Sequence, residues 1–210
     1  MSYLKKISSG ICAGILISIG GAVFLACDLK DFGKYIGAVL FTVALLCICL
    51  KGYSLYTGRI GFIVESHDKE YFGGLTLGLL GNAIGTVACG YAIRFALPNL
   101  GKAAETLCTG KLDQTFLQTL IRGIFCGVLM YLAVSIYKEK NNVLGIIFCI
   151  PVFILAGFEH SIADLFYFAC SGIVSLKALG FIWTVILGNS IGAVILPLLT
   201  YKRKNNEQKS

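Results

Sequence analysis

The sequence predicts an all-α membrane protein of six transmembrane helices, built as two inverted three-helix repeats with broken second and fifth helices. Three observations carry that prediction. Charge is scarce and segregated, two sequence blocks recur in the same order in each half, and corresponding apolar runs are interrupted at matching places. Of 210 residues, 57% are hydrophobic and 14% charged, whereas a soluble domain has roughly 25% charged residues. The runs 36–50, 73–93 and 178–199 carry almost no charge. A helix crosses the hydrocarbon core in about 20 residues at about 1.5 Å each, and several runs reach that length.

The first span is expected near 9–27. A short basic start containing Lys5 and Lys6 leads into an apolar run without an A-x-A-like site, so a helix is expected there rather than a cleavable signal peptide. Further spans are expected near 36–52, 73–97, 115–137, 143–169 and 178–200. Charged turns at 28–34, 65–70, 98–113 and 138–142 separate them. Lys202, Arg203 and Lys204 follow the last span. Basic residues at both ends put both termini in the cytoplasm, which requires an even number of spans in a multi-pass protein of the cell (inner or plasma) membrane.

The formal charge of +7 does not point to nucleic acid, because the lysines sit at segment ends rather than in one patch. Cys12, Cys47, Cys49, Cys89, Cys126 and Cys149 lie inside apolar runs, and no CxxC pair has zinc-ligand spacing. The simpler reading is small apolar packing residues. Neither a cofactor nor a metal is expected.

The repeat is visible in two blocks. Gly10-Ile11-Cys12-Ala13-Gly14-Ile15-Leu16 matches Gly123-Ile124-Phe125-Cys126-Gly127-Val128-Leu129, 113 residues on. Leu80-Gly81-Asn82-Ala83-Ile84-Gly85-Thr86-Val87 matches Leu187-Gly188-Asn189-Ser190-Ile191-Gly192-Ala193-Val194, 107 residues on. One domain, 1–210, then contains repeats at about 9–97 and 115–200. Three spans per repeat is odd, so the second copy enters the membrane upside down. That arrangement is a signature of transporters and channels. Glycine-rich membrane helices do resemble one another, but two blocks in the same order make chance the weaker account. Pairs such as Gly81/Gly85 and Gly188/Gly192 permit close backbone approach and indicate packing only.

The second span ends in Lys51-Gly52-Tyr53-Ser54-Leu55-Tyr56-Thr57-Gly58-Arg59, and the fifth meets Ala156-Gly157-Phe158-Glu159-His160-Ser161-Ile162-Ala163-Asp164. Broken backbone at membrane depth is tolerated where it is buried in protein or lines a cavity, and paired breaks point to a substrate site. Glu159, His160 and Asp164 are ionisable groups within an apolar span, where such groups are costly and functional. A lone buried histidine is commonly a satisfied core residue. One on a break, beside a carboxylate, reads as a pathway residue able to change protonation near neutral pH. Glu159 is expected to accept backbone N–H groups freed by the break.

Gly157-Phe158-Glu159-His160-Ser161-Ile162-Ala163 closely resembles the signature of the formate/nitrite transporter family. So do Leu55-x-Thr57-Gly58, Arg122-Gly123-Ile124-x-Cys126 and Gly188-Asn189-x-Ile191-Gly192, in order along nearly the whole chain. The resemblance implies an aquaporin-like fold in a homopentamer with one pore per protomer, passing small monovalent anions such as formate, nitrite or hydrosulfide. It implies that His160 is the central pore histidine, Thr57 the loop threonine facing it, Asn189 a nearby polar partner, and Lys111 the lysine that attracts anions. Phe41, Leu45, Leu55 and Phe153, with Tyr56 in place of the family's phenylalanine, would form the constrictions. The family's glutamate is Ser54 here, and its two asparagines are Gly127 and Asp164. These departures bear on substrate preference and pH response.

The expected mechanism follows from cost. Burying a bare anion costs of order 20 kcal/mol in the idealised case and several in practice. Lys111 would concentrate anions, broken-helix N-termini would face them, and His160 would donate a proton or a strong hydrogen bond, so that a neutral weak acid crosses. Lys111→Ala is accordingly expected to lower apparent affinity. A neutral-solute channel of aquaporin type is the alternative, but asparagine-proline-alanine motifs are absent. An enzyme is not expected, since HExxH, G-x-S-x-G and cysteine–histidine motifs are absent.

Overall fold

A computed structural model of the chain describes residues 3–28, 32–66 and 68–207, with side chains through 200. Parts of the first two expected turns, 29–31 and 67, and the side chains of Lys202, Arg203 and Lys204, lie outside the described residues. Among the described residues the helices are α1 (Tyr3–Asp28), α2 (Gly33–Lys51), the single turn α3 (Tyr56–Arg59), α4 (Lys69–Ala96), α5 (Pro98–Leu112), α6 (Phe116–Lys140), α7 (Leu144–Leu155), α8 (Ser161–Ser171) and α9 (Leu176–Glu207). A 3-10 turn, Ile60–Val64, follows α3.

Five of these are long and apolar enough to cross a membrane: Tyr3–Asp28, Gly33–Lys51, Lys69–Ala96, Phe116–Lys140 and Leu176–Thr200. The stretch expected as the fifth span holds two shorter apolar helices, α7 and α8, joined through residues 156–160. The outer faces of the bundle carry exposed large apolar side chains, among them Val39 on α2, Phe95 on α4, Phe125 on α6, Phe148 on α7 and Trp183 on α9. A soluble protein hides such surface, whereas hydrocarbon covers it at no cost. Segment 98–113, expected as a charged turn, is a helix instead. Pro98 sits at its first turn, where the missing N–H costs nothing, and the residues that follow include good helix formers such as Lys102, Ala103, Ala104 and Glu105.

Two glycine seams hold the bundle together. α1 packs on α4, where a Cβ on Gly10 would come 2.6 Å from the Gly78 carbonyl oxygen. α6 packs on α9, where a Cβ on Gly192 would run into the Ile124 carbonyl oxygen, with the carbonyl carbon 2.7 Å away. These neighbours are backbone and cannot rotate aside. Gly192→Ala is therefore expected to cost about 1–3 kcal/mol as overpacking, which lowers the unfolding midpoint by roughly 2–12 °C at about 2–4 °C per kcal/mol. Thermal unfolding in detergent checks it. Gly180→Ala, at a site with nothing within 4 Å, should leave the midpoint unchanged.

Candidate functional site

The two interruptions end their helices by the same device. Gly52 and Gly157 take left-handed conformations, φ 67° and 73°. The Gly52 N–H donates to the Cys49 carbonyl (3.1 Å) and the Tyr53 N–H to Ile48 (3.0 Å). In the other half, the Gly157 N–H donates to Ile154 (3.1 Å) and the Phe158 N–H to Phe153 (2.9 Å). This pair of bonds satisfies the last carbonyls of a helix and turns the chain sharply, and it uses glycine because φ is positive.

An asparagine then pins each loop. Asn82 on α4 accepts from the Tyr56 N–H (2.9 Å) and donates to the carbonyls of Ser54 and Gly10 (both 2.8 Å). Asn189 on α9 accepts from the Ser161 N–H (2.9 Å) and donates to the carbonyls of Glu159 (2.8 Å) and Gly123 (2.9 Å). Both side chains are fully buried. Each uses its oxygen and one amide proton on the loop backbone that the break leaves without helical partners, and its second amide proton on a carbonyl of the neighbouring helix, Gly10 in α1 or Gly123 in α6.

The pinned loops bring Thr57 and His160 together. His160 caps α8, its Nδ1 accepting from the Ala163 N–H at 3.1 Å. An accepting Nδ1 in a neutral ring leaves the proton on Nε2, which donates to Thr57 Oγ1 at 2.8 Å. The His160 ring lies stacked against Phe153, centroids 5.7 Å apart and planes 26° off parallel. Phe153 in turn meets Phe41 edge-on, centroids 6.5 Å apart at 83°.

Two cavities approach this centre. One, about 350 Å³, is lined by Phe41, Lys111, Arg122, Phe153, His160 and Asp164 among others. The second, about 230 Å³, is lined by Leu45, Ile48, Leu55, Arg59, Phe62 and Lys138 among others. Phe41 and Leu45 are one turn apart on the same face of α2, about 6 Å along the axis. The first cavity therefore ends, and the second begins, within one turn of helix, at the level where Thr57 and His160 meet. Tyr56 lies elsewhere. It lines neither cavity, and its hydroxyl is 2.8 Å from Ser190 Oγ.

Lys111 from α5 reaches the wall of the larger cavity, where its amine pairs with Glu159 Oε2 and with Asp164 Oδ1 at 3.0 Å. Gln114 Nε2 donates to Glu159 Oε1 at 2.7 Å, and the Arg122 guanidinium is 3.9 Å from the same oxygen. Burial works against the ammonium, but the Asp164 and Glu159 carboxylates outweigh it and hold the Lys111 pKa above its ordinary value. Glu159 was expected to accept freed backbone N–H groups. Its carboxylate instead accepts from Lys111 and Gln114, because the Asn189 amide already serves the loop backbone. Lys111 thus has a structural role in addition to the attraction expected of it. Lys111→Ala leaves two buried carboxylates without their shared cation, which costs about 3–5 kcal/mol. Thermal unfolding of the variant is expected to show that loss, with Lys102→Ala on the exposed face of α5 as the unaffected control.

Sequence reasoning passed over Asn82 as a functional residue and Gln114 altogether. Asn82 carried one signal, its place in the repeated Leu-Gly-Asn block. Gln114 carried none, since its partner is 45 residues away.

A family model described as formate/nitrite transporter matches residues 1–202. A formate-nitrite transporter of Plasmodium falciparum is 22% identical over 95% of this chain and 78% of its own. One of Plasmodium ovale is 26% identical over 77% of this chain, which spans 61% of that relative's length. The uncharacterized transporter YrhG of Bacillus subtilis is 28% identical over 91% of this chain and 82% of its own. Among solved structures, a pentameric formate channel with formate bound superimposes with a TM-score of 0.80 at 23% identity, covering 97% of both chains. A second, described as an FNT family ion channel, gives 0.81 at 22% identity, over 96% of this chain and 89% of that one.

Proposed function

The chain belongs to the formate/nitrite transporter family, and on that premise we propose that it conducts small monovalent anions of weak acids, with protons, through a pore centred on His160. Formate is the first expected substrate, with nitrite or hydrosulfide next. One observation carries the reading. His160 lines the first cavity with Phe41 and Phe153, and its buried hydrogen bond reaches Thr57, whose neighbours Leu55 and Gly58 line the second with Leu45.

An anion entering the larger cavity meets the Lys111 cluster, then an aromatic wall that holds little water. The Nε2–H of His160 is the donor within reach, released when Thr57 Oγ1 gives way to the anion. A strong hydrogen bond or a transferred proton neutralises the charge across the apolar turn, which removes most of the burial cost. The anion regains water in the cavity beyond Leu45 and Leu55.

The matched breaks and the matched bonding of Asn82 and Asn189 support two inverted three-span repeats within one domain. The likeness to a pentameric channel supports a homopentamer in the lipid bilayer. Basic ends support two cytoplasmic termini in the cell membrane, and membership of a transporter family argues against an enzyme.

Liposomes carrying the purified protein test the function. Formate, nitrite, hydrosulfide and chloride are added in turn while internal pH is followed. Acidification with one or more weak-acid anions and none with chloride is the expected result. If no anion enters but water or glycerol swells the vesicles, the aquaporin-type alternative replaces this reading.

A further inference from the structure

Asp164 is unlike every other aspartate among the described residues, because it is the one that is buried. It stands on the first turn of α8 and lines the same cavity as His160. Its Oδ1 is 3.0 Å from Lys111 Nζ. Its Oδ2 is buried with no hydrogen-bond partner among the described residues. The other groups around it are Lys111 and Cys108 from α5, Glu159 and His160 from the loop, Arg122 and Cys126 from α6, and Tyr167 on its own helix.

The charges do not balance locally. Glu159 and Asp164 share the one Lys111 ammonium. Arg122 is 3.9 Å from Glu159 and its side chain is 45% exposed, so water screens most of its contribution. One negative charge is left over on two side chains that are 3% and 1% exposed at the cavity wall, and Asp164 Oδ2 has no partner among the described residues. Both defects are costly. A single proton on Oδ2 removes both at once, by cancelling the charge and converting the orphaned acceptor into a hydroxyl donor facing the cavity region.

We propose that Asp164 is a proton-binding site of the pathway, loaded together with the anion. The inference rests on the anion-pathway reading. The carboxylate takes a proton from hydronium in the cavity, leaving water behind, and returns it to water when the anion has left. With Asp164 ionised, the cluster carries an excess negative charge and repels an anion. With Asp164 protonated, the repulsion is gone. Proton and anion therefore bind more tightly together than apart, and the coupling is reciprocal.

Infrared difference spectroscopy of the full chain in liposomes tests this directly. A carbonyl band of a protonated carboxyl is expected to titrate with pH, to move when the protein contains isotope-labelled aspartate, and to vanish in Asp164→Asn. Formate added at fixed pH should increase the band. The isotope arm needs no variant, so the test survives if Asp164→Asn does not fold. In uptake assays, Asp164→Asn should remove a pH dependence of up to about tenfold per unit from the formate rate. No titrating band, a band that moves only with labelled glutamate, or a band indifferent to formate in liposomes that formate acidifies overturns the proposal. The band reports the carboxyl whether or not formate crosses, so its failure and a failure of the transport reading are separable.

Discussion

Phenylalanine in place of His160 is expected to abolish anion-driven acidification of liposomes while leaving the protein folded. The ring survives the change, so the stack on Phe153 and the edge contact of Phe153 with Phe41 persist. What disappears is the Nε2–H directed at Thr57 and the Nδ1 that accepts from the Ala163 N–H. The second loss removes a helix cap, worth about 1 kcal/mol, which thermal unfolding should register as a small shift. The first removes the donor at the place where the anion leaves water. Proton transfer by a positioned side chain contributes about a hundredfold to ten-thousandfold. Initial rates of formate-driven acidification are therefore expected to fall at least about a hundredfold. Acidification that persists at wild-type rate in His160→Phe keeps the channel but removes His160 as its proton donor.

The histidine was legible in the sequence because it is a local anomaly. Glu159, His160 and Asp164 stand in a run where every neighbour is apolar or small, and Gly157 announces a turn beside them. The break at Gly52 was legible for the same reason, with Lys51, Gly52 and Arg59 interrupting an apolar run. What a one-dimensional reading lacks is pairing. Lys111 lies 48 residues from Glu159, and neither residue's surroundings in the chain suggest the other. The reading therefore gave Lys111 a role in attraction and Glu159 a role toward backbone, while the fold pairs them with each other. Segment 98–113 was misread as a turn because its charges resemble a loop's. Its helical propensity and the proline at its start were the better guide. Asp164 is legible as an ionisable group in an apolar run and as a departure from the family's asparagine. That it shares one lysine with Glu159, with an oxygen left over, depends on three elements meeting.

Asn189→Leu tests the idea that the site is held in place by one amide. Leucine is close in volume and suits an apolar surrounding, so packing between α6 and α9 is largely retained. Three hydrogen bonds are lost: those to the Ser161 N–H and to the Glu159 and Gly123 carbonyls. The Ser161 N–H and the Glu159 carbonyl are left buried without a partner, at about 1–3 kcal/mol each and roughly 2–6 kcal/mol together, while the Gly123 carbonyl keeps its bond within α6. That is a large part of the total stability of many domains, about 5–15 kcal/mol. The variant is expected to lose its cooperative unfolding transition or to shift it far downward, and to lose transport with it. Asn82→Leu removes the equivalent three bonds in the other half, to the Tyr56 N–H and to the Ser54 and Gly10 carbonyls. If the halves are inverted copies joined at a common centre, the two variants should destabilise the protein by similar amounts. A large loss for one asparagine and none for the other would mean that one break stands without its anchor, and the two-fold account of the pore would fail there.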